Sequence, residues 1–162
     1  RVPLIVRWPG KTKKKSKTEA IVSCVDFYPT FIDIAQGKLP KNQIMDGISM
    51  YKTFTENIYN KEREVFTHYP VYHHEQPMSS LRKGDWKIIQ NLVTSEFNLY
   101  NLKYDVSEMT DLKFSYPKKL NTMKFILQKW QEDTEAEMPI KNQKFDRKRR
   151  YEWAMNPYTQ IK

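Results

Sequence analysis

The sequence predicts an α/β chain: part of a larger α/β layer, followed by a small antiparallel sheet plus helix subdomain. Three observations carry that prediction. Residues 2–8 (Val-Pro-Leu-Ile-Val-Arg-Trp) are almost continuously apolar and close at Pro9-Gly10, the pattern of a strand buried on both faces, as in a parallel sheet. Residues 78–102 break into three short β-rich runs, two of them around Lys83-Gly84-Asp85. Residues 116–137 then set Leu120, Met123, Leu127 and Trp130 on one helical stripe, which fits a helix lying on that sheet.

In chain order, the strand at 2–8 needs neighbours, and few runs of its kind follow, so the main sheet is expected to lie outside these residues. Residues 11–18 form a basic loop. Asp26 is placed to cap a helix over residues 27–35, with Pro29 in its first turn, Phe27, Phe31, Ile34 and Ala35 at helical spacing and Gly37 as its stop. Asp46-Gly47 marks a turn. Residues 64–69 read as a strand that runs, at Pro70, into a loop over 71–77 holding Tyr72, His73 and His74. Residues 78–82 and 86–90 make a hairpin, and 97–102 add an antiparallel strand. Asp105 caps the next turn, and Glu108, three residues on, is placed to return a hydrogen bond. Ser115 is the expected N-cap of the last helix, Pro117 sits in its first turn and Pro139 ends it. The expected divisions are 1–77 for the α/β layer, 78–138 for the subdomain and 139–162 for a basic tail.

Composition narrows the function classes. With 39% hydrophobic and 14% aromatic residues the chain is not of the disordered class. No apolar run approaches the roughly 20 residues of a membrane-spanning helix. The single cysteine, Cys24, excludes an internal disulfide; beside Ile21, Val22 and Val25 it reads as a small buried residue rather than a nucleophile. The net charge of +9 suggests acidic partners, but much of it lies in two runs, residues 11–17 and 144–150, which read either as solvated loops or as contacts to a polyanion. Aromatic residues are not interleaved with lysine and arginine as stacking platforms are, so no nucleic-acid partner is expected.

Five blocks, in order, carry a family resemblance: 1–10 (Arg-Val-Pro-Leu-Ile-Val-Arg-Trp-Pro-Gly), 25–35 (Val-Asp-Phe-Tyr-Pro-Thr-Phe-Ile-Asp-Ile-Ala), 46–49 (Asp-Gly-Ile-Ser), 66–70 (Phe-Thr-His-Tyr-Pro), and the stretch from Ser80 to Leu112. Together they resemble the C-terminal end of the sulfatases of the alkaline-phosphatase superfamily. The resemblance implies the C-terminal part of an alkaline-phosphatase-like sulfatase fold, in which residues 1–10 are a late strand of the large sheet. It also implies hydrolysis of sulfate esters, of carbohydrate or aryl type, by a formylglycine nucleophile made from Cys or Ser in a Cys/Ser-x-Pro-x-Arg motif and by a calcium ion. The remainder of the sulfatase domain is then the partner, and a periplasmic or extracellular location is expected. Cys24 is followed by Val25-Asp26-Phe27, so no catalytic residue and no metal ligand is carried over, and the segment alone is expected to be inactive. A phosphonate or phosphodiester hydrolase of the same superfamily is the alternative enzyme; a basic module binding nucleic acid or sulfated glycans without chemistry is the alternative class.

Four residues are candidates for substrate contact. His68 stands at a strand end, where α/β folds build sites, and its imidazole can meet a sugar hydroxyl or a sulfate, or serve as a satisfied structural histidine. His73 and His74 are adjacent, so on an extended loop they point opposite ways; they read as loop residues near substrate rather than ligands of one metal. Arg82 is a cation for a sulfate or carboxylate, or a surface residue beside a turn. Asp26, Asp46, Asp105 and Glu108 sit where caps and turns need a short acceptor and read as structural. The tryptophans read as packing residues, Trp153 in basic surroundings.

Overall fold

The computed structural model describes residues 2–71, 76–140, 143, 144, 146 and 148. His73, His74, Trp153 and most of the basic tail lie outside the described residues. Two compact units, residues 1–65 and 66–162, divide the chain within the strand at Glu64–Tyr69.

The first unit holds a 3-10 turn at Cys24–Asp26, helix α1 at Phe27–Ile34 and helix α2 at Tyr51–Glu56. Residues 2–8 form no strand, and Val2 and Ile5 are about as exposed as a side chain can be, at 90% and 88%. The buried strand expected there has no partner strand among the described residues, and without a ladder an apolar run has nothing to pair with. Cys24 is exposed, against the expectation of burial; the inner side of its turn is taken by Asp26. Helix α1 also turns a different face inward from the one its spacing suggested. Pro29 and Thr30 are buried, whereas Phe31 is 63% exposed and Ile34 is exposed too.

Polar groups supply the inner packing. The Thr30 hydroxyl donates to the carbonyl of Asp26 (2.6 Å) and accepts from the amide of Met50 (2.8 Å), which ties α1 to the start of α2. Helix α1 ends as Gln36 turns left-handed (φ 54°) and Gly37 N–H donates to Ile32 C=O (2.9 Å). Gly37 is therefore the residue after the left-handed one, and a Cβ on it would press on the Ile32 side chain. At Asp46-Gly47 a Cβ on the glycine would collide with the backbone of Val25, so the turn needs glycine for close approach. Helix α2, short and without a strong apolar period, had no signal in the sequence.

The sheet of the second unit runs β1-β2-β3-β4, with β1 at Glu64–Tyr69, β2 at Met78–Lys83, β3 at Trp86–Asn91 and β4 at Phe97–Asn101. The hairpin pairs Lys83 with Trp86 across Gly84-Asp85, and β3 and β4 are antiparallel, as the alternation predicted. Strand β1 is a fourth, edge strand beyond the three read as one sheet. Leu81, Ile88 and Leu99 lie in one cross-strand row, all fully buried. Helix α3, Pro117–Asp133, lays Met123 and Leu127 on that row, with Leu120 and Trp130 partly buried around it. Burying such side chains is worth about 1.5–3 kcal/mol each, which makes this row and stripe the main source of the unit's stability.

Three local expectations are corrected here. Tyr116, not Ser115, is the N-cap of α3, and it makes no side-chain cap. The helix ends at Asp133, well before Pro139, because Glu135 turns left-handed (φ 49°) and the amide of Ala136 bonds back to Gln131 (2.9 Å). Asp105 does cap its turn, accepting from the amides of Met109 (3.1 Å) and Thr110 (2.8 Å). Glu108 closes no capping box: its φ is 57° and its carboxylate is taken by Lys87 (2.7 and 2.9 Å).

Candidate functional site

Strand alternation sorts the second unit's polar residues onto two faces. Row by row, Leu81–Ile88–Leu99 face the helix, and the neighbouring row, Arg82–Lys87–Tyr100, faces away from it. That second row is the candidate site. It sets a guanidinium, an ammonium and a phenol side by side on adjacent strands, all half-buried.

Acids from the β4–α3 connection frame this row. Lys87 pairs with Glu108. Asp111 accepts from the amides of Leu99 (3.0 Å) and Lys113 (3.0 Å) and from the side chain of Asn98 (2.8 Å). Burial alone would raise the Asp111 carboxyl, but the Leu99 amide, Asn98 and Lys113 together hold it below the usual carboxylate range. Burial pushes the Tyr100 phenol up, and Asp111, Glu108 and Asp105 push it further. Tyr100 is thus a neutral donor at any physiological pH, beside the Lys87 ammonium that Glu108 holds and the Arg82 guanidinium. Arg82 Nε also reaches the carbonyl of Gly84 (3.4 Å), which holds its stem at the hairpin end.

His68 is on the opposite face. Its Nδ1 meets the Ser79 hydroxyl (3.2 Å), its Nε2 meets the carbonyl of Glu137 (2.7 Å), and its ring stands edge-on to Trp130. Both ring nitrogens are therefore engaged within the protein. Ser79 is buried and two residues from Leu81, so His68 and Arg82 are separated by the thickness of the sheet. The structure does not bring these two candidates together. His73 and His74 lie outside the described residues. Lys87 and Tyr100 were missed from sequence, although the period of two that defines the hairpin already aligns them with Arg82.

The first unit has one strongly organised polar centre. Asp26, wholly buried, accepts from Arg63 (2.5 and 2.7 Å) and from the amides of Ser23 (2.7 Å) and Ile48 (3.0 Å). Its position is the N-cap of α1, but it makes no cap to that helix. Burial would raise its carboxyl; the bond from Arg63, then the two amides and the Arg63 charge, outweigh this and lower it. A concavity of about 380 Å³ beside it is lined by Asp33, Ser49, Lys52, Tyr59, Asn60 and Arg63 among others.

Neither centre fits a calcium ion, which takes six to eight oxygen ligands. The Asp26 oxygens are filled by Arg63 and two amides, Asp105 serves amides of its own turn, Asp111 is taken by the amides of Leu99 and Lys113 and by Asn98, and no three His, Cys, Asp or Glu side chains converge among the described residues. No described helix is long and apolar enough to cross a membrane.

Comparisons with known proteins place the chain among sulfatases. Residues 1–135 match the family model described as N-sulphoglucosamine sulphohydrolase, C-terminal. A protein named sulfatase from Formosa agariphila is 36% identical over 129 residues, covering 72% of this chain and 23% of that protein. An N-acetylglucosamine-6-O-sulfatase from Bacteroides thetaiotaomicron is 32% identical over 142 residues, covering 81% of this chain and 25% of the relative. A structure solved in complex with its substrate, D-glucosamine-2-N,6-O-disulfate, superposes with a TM-score of 0.71 at 28% identity, over 86% of this chain and 30% of that one. The chain thus spans about a quarter of the length of the curated relatives it matches.

Proposed function

This chain belongs to the N-sulphoglucosamine sulphohydrolase C-terminal family of sulfatases, and on that premise we propose that it is the C-terminal part of an enzyme that hydrolyses sulfate esters of carbohydrates, acting outside the cytoplasm. The observation that carries the reading is the match over residues 1–135, supported by the superposition on the solved relative over 86% of this chain. An amino sugar bearing a 6-sulfate is the first substrate to test, since a relative is named N-acetylglucosamine-6-O-sulfatase and a similar structure holds D-glucosamine-2-N,6-O-disulfate. The formylglycine nucleophile and the calcium ion belong to the remainder of the domain in this reading.

The division of labour follows from what these residues expose. Val2, Ile5 and Phe31 leave apolar surface open on the first unit, which suits cover by the large α/β layer; residues 1–65 complete that layer, and the C-terminal subdomain begins at residue 66 rather than 78, because β1 joins its sheet. Arg82, with Lys87 and Tyr100 beside it, contacts the substrate's sulfate or carboxylate groups. His68 positions the edge strand through Ser79 and Glu137. The test is turnover by the full-length protein, matured to carry formylglycine and supplied with calcium, on glucosamine 6-sulfate, an aryl sulfate, a phosphonate monoester and a phosphodiester. Hydrolysis of a sulfate ester is expected. Faster turnover of the phosphorus esters, or none of any sulfate ester, overturns the reading.

A further inference from the structure

Five lysines, Lys11, Lys13, Lys14, Lys15 and Lys17, occupy seven successive positions, and all five are exposed. They are carried on an ordered double turn. The carbonyl of Trp8 accepts from the amides of Lys11 (3.1 Å) and Thr12 (2.9 Å), and the Thr12 hydroxyl closes the same ring by donating to that carbonyl (3.1 Å) and accepting from the Trp8 amide (3.3 Å). A second turn follows, in which the Ser16 amide and hydroxyl both donate to the carbonyl of Lys13 (3.3 and 2.8 Å). Trp8 anchors the assembly, half-buried with its ring edge-on to Tyr51 at 5.8 Å. Lys15 stands at the tip with φ 60°, a left-handed position where glycine or asparagine would sit without strain.

Among the described residues none of these lysines has an acidic partner, whereas Lys87, Lys113 and Lys129 of the second unit each hold their own carboxylate. Ammonium groups are almost never buried unpaired, because desolvation exceeds what an apolar neighbour returns. Packing this turn under another domain would need a cluster of acids to meet it. It therefore stays in water or meets a polyanion, and five like charges on one tight turn raise the local potential well above that of a scattered surface.

We propose that this turn is a second, non-catalytic binding surface for a sulfated polysaccharide, holding the polymer while the active site works on one of its sulfates. The choice of a sulfated polymer rests on the sulfatase reading above. It is favoured over nucleic acid by the turn's own chemistry: residues 10–19 contain no aromatic side chain on which a base could stack. Lysine ammonium groups are compact point charges on flexible stems, suited to sulfates that are unevenly spaced along a chain. Tethering the polymer raises the effective concentration of its other sulfates at the active site.

The test compares the full-length protein with the triple variant Lys13→Gln, Lys14→Gln, Lys15→Asn, in which asparagine tolerates the left-handed position. A control variant, Lys38→Gln, Lys41→Gln, Lys61→Gln, removes the same charge from other exposed positions. Binding to heparin, as a densely sulfated probe, is measured across a salt series, beside binding to a single-stranded oligonucleotide. The turn variant is expected to lose at least about tenfold in heparin affinity near physiological salt, and its log-affinity against log-salt slope should fall by roughly two. The control should stay within about twofold. Unchanged heparin binding in the turn variant, an equal loss in the control, or tighter binding of the oligonucleotide than of heparin each overturns the proposal. Aryl sulfate turnover is followed in the same preparations; its absence from the parent protein would sink the sulfatase reading while the heparin result stands on its own.

Discussion

Phe66 and Trp130 stack face to face, their ring centroids 4.7 Å apart and their planes 5° from parallel. The pair joins the edge strand β1 to helix α3, so the fourth strand is attached through its face as well as through its ladder to β2. Offset ring pairs contribute about 0.5–1.5 kcal/mol beyond the area they bury. Replacing a fully buried tryptophan by alanine costs about 3–5 kcal/mol; Trp130 is only partly buried, so Trp130→Ala should fall nearer 2–3 kcal/mol. A double-mutant cycle with Phe66→Ala, read by denaturant melts, should return a coupling of about 0.5–1.5 kcal/mol. Strict additivity would mean the stack does not hold the strand. Lys129→Ala, on the exposed side of the same helix, should leave the midpoint where it was, although Lys129 pairs with Asp133 at 2.8 Å.

The buried ion pair between Asp26 and Arg63 makes a prediction of opposite kind. Removing one partner strands the other charge in the interior, which typically costs about 3–5 kcal/mol. Arg63→Met should therefore destabilise the first unit strongly, and the double variant Asp26→Asn, Arg63→Met should recover much of the loss. The folded-state pKa of Asp26 is lowered from 3.8. The stabilisation is then fully present above the ordinary carboxylate range and is lost as pH falls through the lowered folded value. Melts of the parent protein should show this acid loss below about pH 4, and the double variant should lack that component. An identical acid profile in both would contradict the assignment.

These two pairs also show what the sequence could disclose. The hairpin, β4 and the stripe of α3 were legible because a period of two or of 3.6 is written in neighbouring residues. Arg63 lies 37 positions from Asp26, and no local pattern announces such a partner, so Asp26 was read as a cap. Glu108 was misread for a related reason: the capping-box spacing was present, but Lys87, reached across 21 positions, captured the carboxylate. Residues 2–8 and the outward face of α1 carry the pattern of burial without being buried here, because periodicity tells which side is apolar and not what covers it. The Arg82–Lys87–Tyr100 row was within reach, since the register that aligns Leu81, Ile88 and Leu99 aligns these residues one step along.

Cys24 offers a clean test of where the nucleophile lies. It is exposed and therefore accessible to reagents, yet it is followed by Val25-Asp26-Phe27 and not by x-Pro-x-Arg. Cys24→Ala in the full-length protein should leave aryl sulfate turnover within about twofold, as surface substitutions away from special features usually do. Residues 1–162 produced alone should show no turnover above a heat-killed control. Activity that disappears with Cys24, or activity in the isolated segment, would place the chemistry in these residues.

The last prediction concerns the row on the outward face of the sheet. Arg82 is paired across the hairpin with Lys87, and Lys87 across the next strand with Tyr100. If the row meets the anionic groups of the substrate, each contact is a charge-assisted hydrogen bond worth about 1.5–3 kcal/mol. Arg82→Ala in the full-length enzyme should then raise KM for a sulfated oligosaccharide roughly ten- to a hundredfold, with kcat little changed, because binding that is equal in ground and transition states is lost as KM alone. Arg82→Lys should recover only part of the affinity, since an ammonium cannot reproduce the planar fork of a guanidinium. His68→Ala should behave differently: its ring is held by Ser79 and by the carbonyl of Glu137, so thermal stability should fall before KM moves. A KM that responds to His68→Ala and not to Arg82→Ala would put the substrate on the helix side of the sheet, and the outward row would lose its assigned role.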